Sequence, residues 1–274
     1  MEPGRAPVSF LVDYDGTISL IDIGDELMAR YYPDQETLAR KDAEYDAGIL
    51  GSRELMQWDM DVLPDDPQLL RRAAAEMPQD HTFSAFVGRV RERGAQVEVV
   101  SDGFGFYIGS NLAALGVPDV PIATNHNELR GAAGLSFPFG HPACFVCGTC
   151  KRERVRLHQA GGRAVVFIGE GTSDRYGAAH ADLVFARDSL ERICLAQGWP
   201  YLPWQRFDDV LDEVERAFAD GRLPETAEDL PRWRATHALG PRPFICGPEV
   251  WGPDRTTPTI APDSQSTGRP IIPS

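Results

Sequence analysis

Val8-Ser9-Phe10-Leu11-Val12-Asp13-Tyr14-Asp15-Gly16-Thr17 is the stretch around which the rest of the chain is organised. Val8, Phe10, Leu11 and Val12 make a short apolar run between Pro7 and Gly16, which reads as a buried central strand. Two carboxylates, two residues apart, follow at its C-terminal end. Side chains alternate along a strand, so Asp13 and Asp15 point the same way unless the chain bends first. Two negative charges side by side are costly. The pairing makes sense if a divalent cation lies between them, or if one acid attacks while the other moves protons. A strand running into an Asp-Gly turn is the ordinary alternative.

The 274 residues allow one large domain or a domain with a smaller insert, and 42% hydrophobic content suffices for a substantial core. A formal charge of −14 and a pI near 4.8 argue against nucleic acid or an anionic membrane as partner. An anionic substrate then needs a local metal or cation. No apolar run approaches membrane-spanning length and no signal-peptide core follows Met1-Glu-Pro-Gly-Arg5, so a cytoplasmic location is expected. The five cysteines, three of them at Cys144, Cys147 and Cys150, are not a secreted disulfide framework. Of the 27 basic residues only Lys41 and Lys151 are lysines. A lysine kept in an arginine-using chain is a candidate for work that needs a compact ammonium.

Beyond Thr17 the spacing predicts helices over 22–32, 36–50, 52–58 and 65–77, the third capped by Ser52. Few strand-like runs interrupt residues 18–82, which read as a helical cap over the end of the first strand. Tyr31, Tyr32, Arg53 and Trp58 are candidates to line a pocket there, with core packing the ordinary role. From Thr82 the pattern becomes helix (83–94), strand (96–100), the small polar turn Ser101-Asp102-Gly103, then a helix over 106–115. A hydroxyl and free N–H groups at a helix N-terminus make a phosphate cradle, while a helix cap is the plainer reading of Ser101. His141, Cys144, Cys147 and Cys150 stand at every third position, but without a distant second pair they suit a buried-thiol loop better than zinc or an iron–sulfur cluster. Lys151 opens the next helix. Arg163–Ile168 is a clear buried strand, with Glu170 and Asp174 just after it. These can turn back towards Asp13 and Asp15 to complete an oxygen-rich site suited to Mg²⁺. Residues 181–186 give a further strand and 204–219 a last helix. Ten of the 22 prolines lie from Pro224 onward, so 224–274 reads as a mostly irregular tail.

Four stretches, Asp13-Tyr-Asp-Gly-Thr17, Ser101, Cys-Gly-Thr-Cys-Lys151-Arg and Gly169-Glu-Gly-Thr-Ser-Asp174, resemble in order the motifs of the haloacid dehalogenase-like phosphohydrolases. The third resembles the phosphoserine-phosphatase-like branch, and most nearly its 2-hydroxy-3-keto-5-methylthiopentenyl-1-phosphate phosphatases. The resemblance covers residues 8–219. It implies an α/β fold, a Rossmann-like parallel sheet flanked by helices, with core segments 1–17 and 83–223 and the inserted α-helical cap 18–82. It implies Asp13 as nucleophile, Asp15 as general acid and base, and Lys151 as the catalytic cation. Ser101, Asp102, Gly103 and Thr17 would bind substrate, with Mg²⁺ on Asp13, Asp15, Glu170 and Asp174. The fourth motif usually has Asp where this chain has Glu170, whose carboxylate reaches further by roughly one C–C bond length. A different metal oxygen, a weaker metal site or an outer position for Glu170 all fit.

The activity expected is Mg²⁺-dependent hydrolysis of a small phosphorylated metabolite through an aspartyl-phosphate. Phosphoryl transfer to an alcohol and a catalytically weak binding or regulatory role are the alternatives. No nucleic-acid or membrane partner is expected, and a homodimer is kept open.

Overall fold

The computed structural model describes residues 6–237 except Gly48, Ala132, Ala143 and Phe145. Strand β1 (Val8–Val12) is buried along its whole length, as an unbroken apolar run requires. It lies at the centre of a seven-stranded sheet of order β4-β3-β2-β1-β5-β6-β7. Its parallel neighbours are β2 (Gln96–Phe104) and β5 (Ala164–Gly169), with Val12 opposite Val99 and Ile168. Beyond β2 lies β3 (Ile122–Asn127), parallel, then the two-residue β4 (Leu135–Ser136), antiparallel. Beyond β5 come β6 (Leu183–Ala186) and β7 (Leu202–Pro203), both parallel.

Alternation along β1 divides the core. Val8, Phe10 and Val12 face one cluster and Leu11 the other. On the first face α5 (Phe83–Glu92) and α10 (Phe207–Ala219) bring Phe83, Phe86 and Phe207 together, and Phe10 meets Phe86 edge-on at 5.3 Å. On the second, α7 (Lys151–Ala160), α8 (Arg175–Ala178) and α9 (Asp188–Gln197) supply Val155, Ala178, Leu190 and Ile193. Chain leaving β1 is flanked by strands from opposite directions in sequence. This is the switch point of a parallel sheet, where the carboxyl ends of strands open a crevice.

Between β1 and α5 run four helices, α1 (Ile23–Tyr31), α2 (Gln35–Asp46), α3 (Ser52–Val62) and α4 (Pro67–Ala75). Asp22, Asp34 and Asp66 cap α1, α2 and α4 through side-chain bonds to main-chain N–H groups. Ser52 is not the cap of α3: Gly51 holds that place, and the Ser52 hydroxyl turns to Asp102 and the Val146 carbonyl. Helix α2 stops at Asp46, short of the predicted Leu50.

Two further differences from the sequence reading stand out. Ser101-Asp102-Gly103 is not a turn, because β2 continues through Phe104 with a shift of register after Val100, and helix α6 (Gly105–Ala114) begins directly behind it. The segment read as a tail from 224 contains helix α11 (Asp229–His237), which buries Leu230 and Trp233, the indole donating to the Arg222 carbonyl at 3.0 Å. Residues 238–274 lie outside the described residues.

Candidate active site

Asp13 follows β1 immediately, and its main-chain N–H bonds to the Ile168 carbonyl of β5 at 3.0 Å. The chain then turns through Gly16 at φ +67°, a conformation that favours glycine. A Cβ on Gly16 would stand 2.5 Å from Glu170 Oε1, so the turn and the Glu170 carboxylate are packed against each other.

Beneath Asp13 lies Lys151, the first residue of α7 and only 1% exposed. Its ammonium donates to Asp13 Oδ1 at 2.7 Å, Asp174 Oδ1 at 2.6 Å and Ser173 Oγ at 3.0 Å, which uses all three of its protons. Burial alone would lower the lysine pKa, but Asp13 and Asp174 outweigh it and hold the value above the ordinary one. The other Asp174 oxygen accepts the main-chain N–H groups of Glu170 and Gly171 at 2.9 and 2.8 Å. Burial and the nearby Asp174 push Asp13 up to about 7, although Lys151 pulls against them.

Asp15 sits on the other side of the turn. The Tyr107 hydroxyl lies 2.9 Å from both of its oxygens, and the Ile23 main-chain N–H donates to Oδ1 at 3.2 Å. Burial, then Asp22 and Asp13, raise the Asp15 carboxyl well above the usual range. Ser101 stands at the edge of reach, 3.5 Å from Asp15, and its Oγ accepts the Gly103 N–H at 2.9 Å.

Asp13, Asp15, Ser101, Asp102, Gly103 and Glu170 open onto one cavity of about 700 Å³, walled on the far side by α1, α2 and α3. The site residues read from sequence therefore converge, with two exceptions. Thr17 is fully buried away from the cavity lining, and its hydroxyl has no hydrogen-bond partner among the described residues, because the turn after Gly16 carries it inward. Asp102 does line the cavity, yet its carboxylate accepts Ser52 Oγ and, at 2.7 Å, the Thr149 N–H, tying α3 to the loop before α7.

The pocket candidates within residues 18–82 lie elsewhere too. Tyr32 and Trp58 pack edge-on at 5.2 Å, Tyr31 joins the same core, and Arg53 donates to the Cys147 carbonyl. Sequence reading missed Tyr107 and Ser173. The sequence signal for Tyr107 is its place four residues beyond Gly103, and Ser173 stands inside the Gly169–Asp174 stretch, next to Asp174.

Among the described residues no three His, Cys, Asp or Glu side chains stand ready-placed to hold a metal ion, the Cys144–Cys150 loop included. The kind of donor present nevertheless suits Mg²⁺. Asp13 and Glu170 offer hard carboxylate oxygens, and burial with the charges of Asp174 and Asp13 lifts Glu170 to about 8. Such crowding marks a place short of positive charge, since Lys151 is already shared by two carboxylates.

A family model for haloacid dehalogenase-like hydrolases matches residues 10–179. The chain belongs to that family. This haloacid dehalogenase-like hydrolase is similar to 2-hydroxy-3-keto-5-methylthiopentenyl-1-phosphate phosphatase of Exiguobacterium sibiricum, 28% identical over 217 residues that span 76% of this chain and 96% of the relative. The enzyme of the same name from Geobacillus kaustophilus is 34% identical over 140 residues, 49% of this chain and 62% of that one. Two solved phosphoserine phosphatases share its fold. One, a phospho-aspartyl intermediate analogue, has TM-score 0.57 and 18% identity over 77% of this chain and 99% of the other. The second, from T. onnurineus, has TM-score 0.58 and 16% identity over 78% and 97%. Among the described residues no helix is long and apolar enough to cross a membrane.

Proposed function

We propose that this haloacid dehalogenase-like hydrolase is a phosphatase that cleaves a small-molecule phosphate monoester through an aspartyl-phosphate. The observation that carries the reading is the joining of Asp13, Lys151 and Asp174 into one buried ionic cluster at the strand ends, with Asp15 beside it on the cavity. An isolated buried carboxylate of this kind is costly, and the cluster is best understood as a nucleophile held in place beside its cation.

Asp13 attacks the phosphorus in line, and the ester P–O bond breaks. Asp15, whose carboxyl burial holds well above the usual range, gives a proton to the departing alcohol oxygen. A water then attacks the phosphorus of the acyl phosphate, Asp15 takes back a proton, and inorganic phosphate leaves with the Asp13 carboxylate restored. Lys151 orients Asp13 and offsets its charge, and Ser101 with the Gly103 N–H receives the phosphoryl oxygens. Mg²⁺, held by Asp13, the Asp15 main-chain carbonyl and Asp174 or Glu170, would neutralise the nucleophile so that it can approach a phosphate dianion.

The relatives' compound is the first ester to assay, within a Mg²⁺-containing panel that includes p-nitrophenyl phosphate. Release of inorganic phosphate by the wild type, absent in Asp13→Asn, supports the reading. Phosphate appearing only on an added alcohol would make the chain a phosphotransferase. Residual turnover within about tenfold of wild type in Asp13→Asn excludes that residue as nucleophile.

A further inference from the structure

The cavity wall opposite Asp13 is acidic. Asp22 and Asp25 reach it from the start of α1, Asp42 from α2 and Asp59 from α3. The Asp59 side chain, in a residue 8% exposed, has no hydrogen bond or ion pair among the described residues and feels Lys41 only as a nearby charge, although it borders the cavity. A carboxylate enclosed to that degree without a partner is unfavourable unless something that enters the cavity supplies one.

The basic side chains nearby do not do so. Arg187 and Arg206 line the cavity, but Arg206 pairs with Asp80 at 3.1 Å, and Arg187 lies over Trp204 and donates to the carbonyls of Gly16 and Gln205. Lys41, the one cation whose charge reaches Asp59, makes no ion pair with it and instead stands 3.7 Å from Glu44 and over the Trp58 ring. Asp25 is exposed at the rim, yet the charge of Asp22 first, with those of Asp42 and Asp59, pushes its carboxyl up to about 9, so the acids of this wall repel one another.

We propose that this wall is a subsite for an organic ammonium group, and that the substrate class is aminoalkyl phosphates, esters whose alcohol carries a protonated amine. The inference rests on the phosphatase reading and narrows it. Phosphate at Asp13 and ammonium at Asp59 would occupy opposite ends of one cavity, each facing its own counter-charge. A carboxylate on the substrate finds no unpaired cation among the described residues of this wall. An uncharged tail leaves Asp59 unpartnered.

The test compares matched pairs of esters with Mg²⁺ present: 2-aminoethyl against ethyl phosphate, 4-aminobutyl against butyl, and 6-aminohexyl against hexyl. At least one amino ester is expected to exceed its alkyl twin by about tenfold in kcat/KM, mainly through KM. That margin should shrink to within about twofold in Asp59→Asn and in Asp25→Asn. Neither substitution removes a side-chain hydrogen bond, and both relieve repulsion, so both variants are expected to fold.

Calorimetry with the same pairs on the wild type reads the preference independently of turnover. Equal or better performance of the alkyl twin in every pair, a margin unchanged in both variants, or no binding of either ester overturns the proposal. So does a second Mg²⁺ bound at Asp59 without any amine preference. Hydrolysis of p-nitrophenyl phosphate without amine preference defeats this inference and leaves the phosphatase reading standing.

Discussion

The Tyr107 hydroxyl lies 2.9 Å from each carboxylate oxygen of Asp15, a residue 92 positions earlier in the chain. Tyr107 is carried there by α6, in the turn directly after β2. One hydroxyl proton serves two oxygens, and the hydroxyl also accepts the Phe104 N–H at 3.3 Å.

Tyr107→Phe removes a bond that lowers the Asp15 pKa, so that pKa rises further. Asp15 must be protonated to serve the leaving alcohol, so the descending limb of the pH–kcat/KM profile should move to higher pH. Turnover near neutrality should fall by about three- to tenfold through lost orientation. An unmoved limb would show that Tyr107 only fills space.

Glu170→Asp should weaken Mg²⁺ activation by about tenfold. The Glu170 carboxylate rests against Gly16, where a side chain one carbon shorter falls short. The measurement is the Mg²⁺ concentration for half-maximal rate. Tighter Mg²⁺ with higher activity would mean that Glu170 handicaps the site.

Metal-free protein should lose thermal stability as pH rises from 5 to 8. Asp13 and Glu170 have folded-state values raised to about 7 and about 8, so the stability present while they are protonated is lost as pH climbs through those values. The carboxyls lowered by folding, such as Asp80 and Glu98, act in the opposite sense, but only at more acid pH. Mg²⁺ should therefore raise Tm more at pH 8 than at pH 5. An equal increase at both would separate metal binding from these two groups.

Much of this site is legible in the sequence because its parts stand at the ends of strands. β1 and β5 are unbroken apolar runs, and a parallel sheet brings their carboxyl ends together whatever the chain does between them. That brings Asp13, Glu170 and Asp174 to one end of the sheet on the strength of the strand pattern alone. Lys151 is marked by the scarcity of lysine in the chain.

What sequence hides depends on tertiary approach. Ser52 has the chemistry of a helix cap, and only the packing of α3 against β2 gives its hydroxyl to Asp102. Asp59 shares its helix with other acids, and nothing in its spacing says that it turns to a cavity. Helix α11 was masked by the proline-rich composition around it. Its own Pro231 lies in the first turn, where the N–H groups lack helical partners, so proline is tolerated there.

The most direct measurement is rapid acid quench of the wild type during turnover of an activated phosphate ester, followed by mass spectrometry of its peptides. A phosphoryl group on Asp13, labile to hydroxylamine and absent from Asp13→Asn, is the expected result. Phosphate release through a single turnover with Asp13 never modified, or a phosphoryl group on another residue, would contradict the assignment of Asp13 as nucleophile.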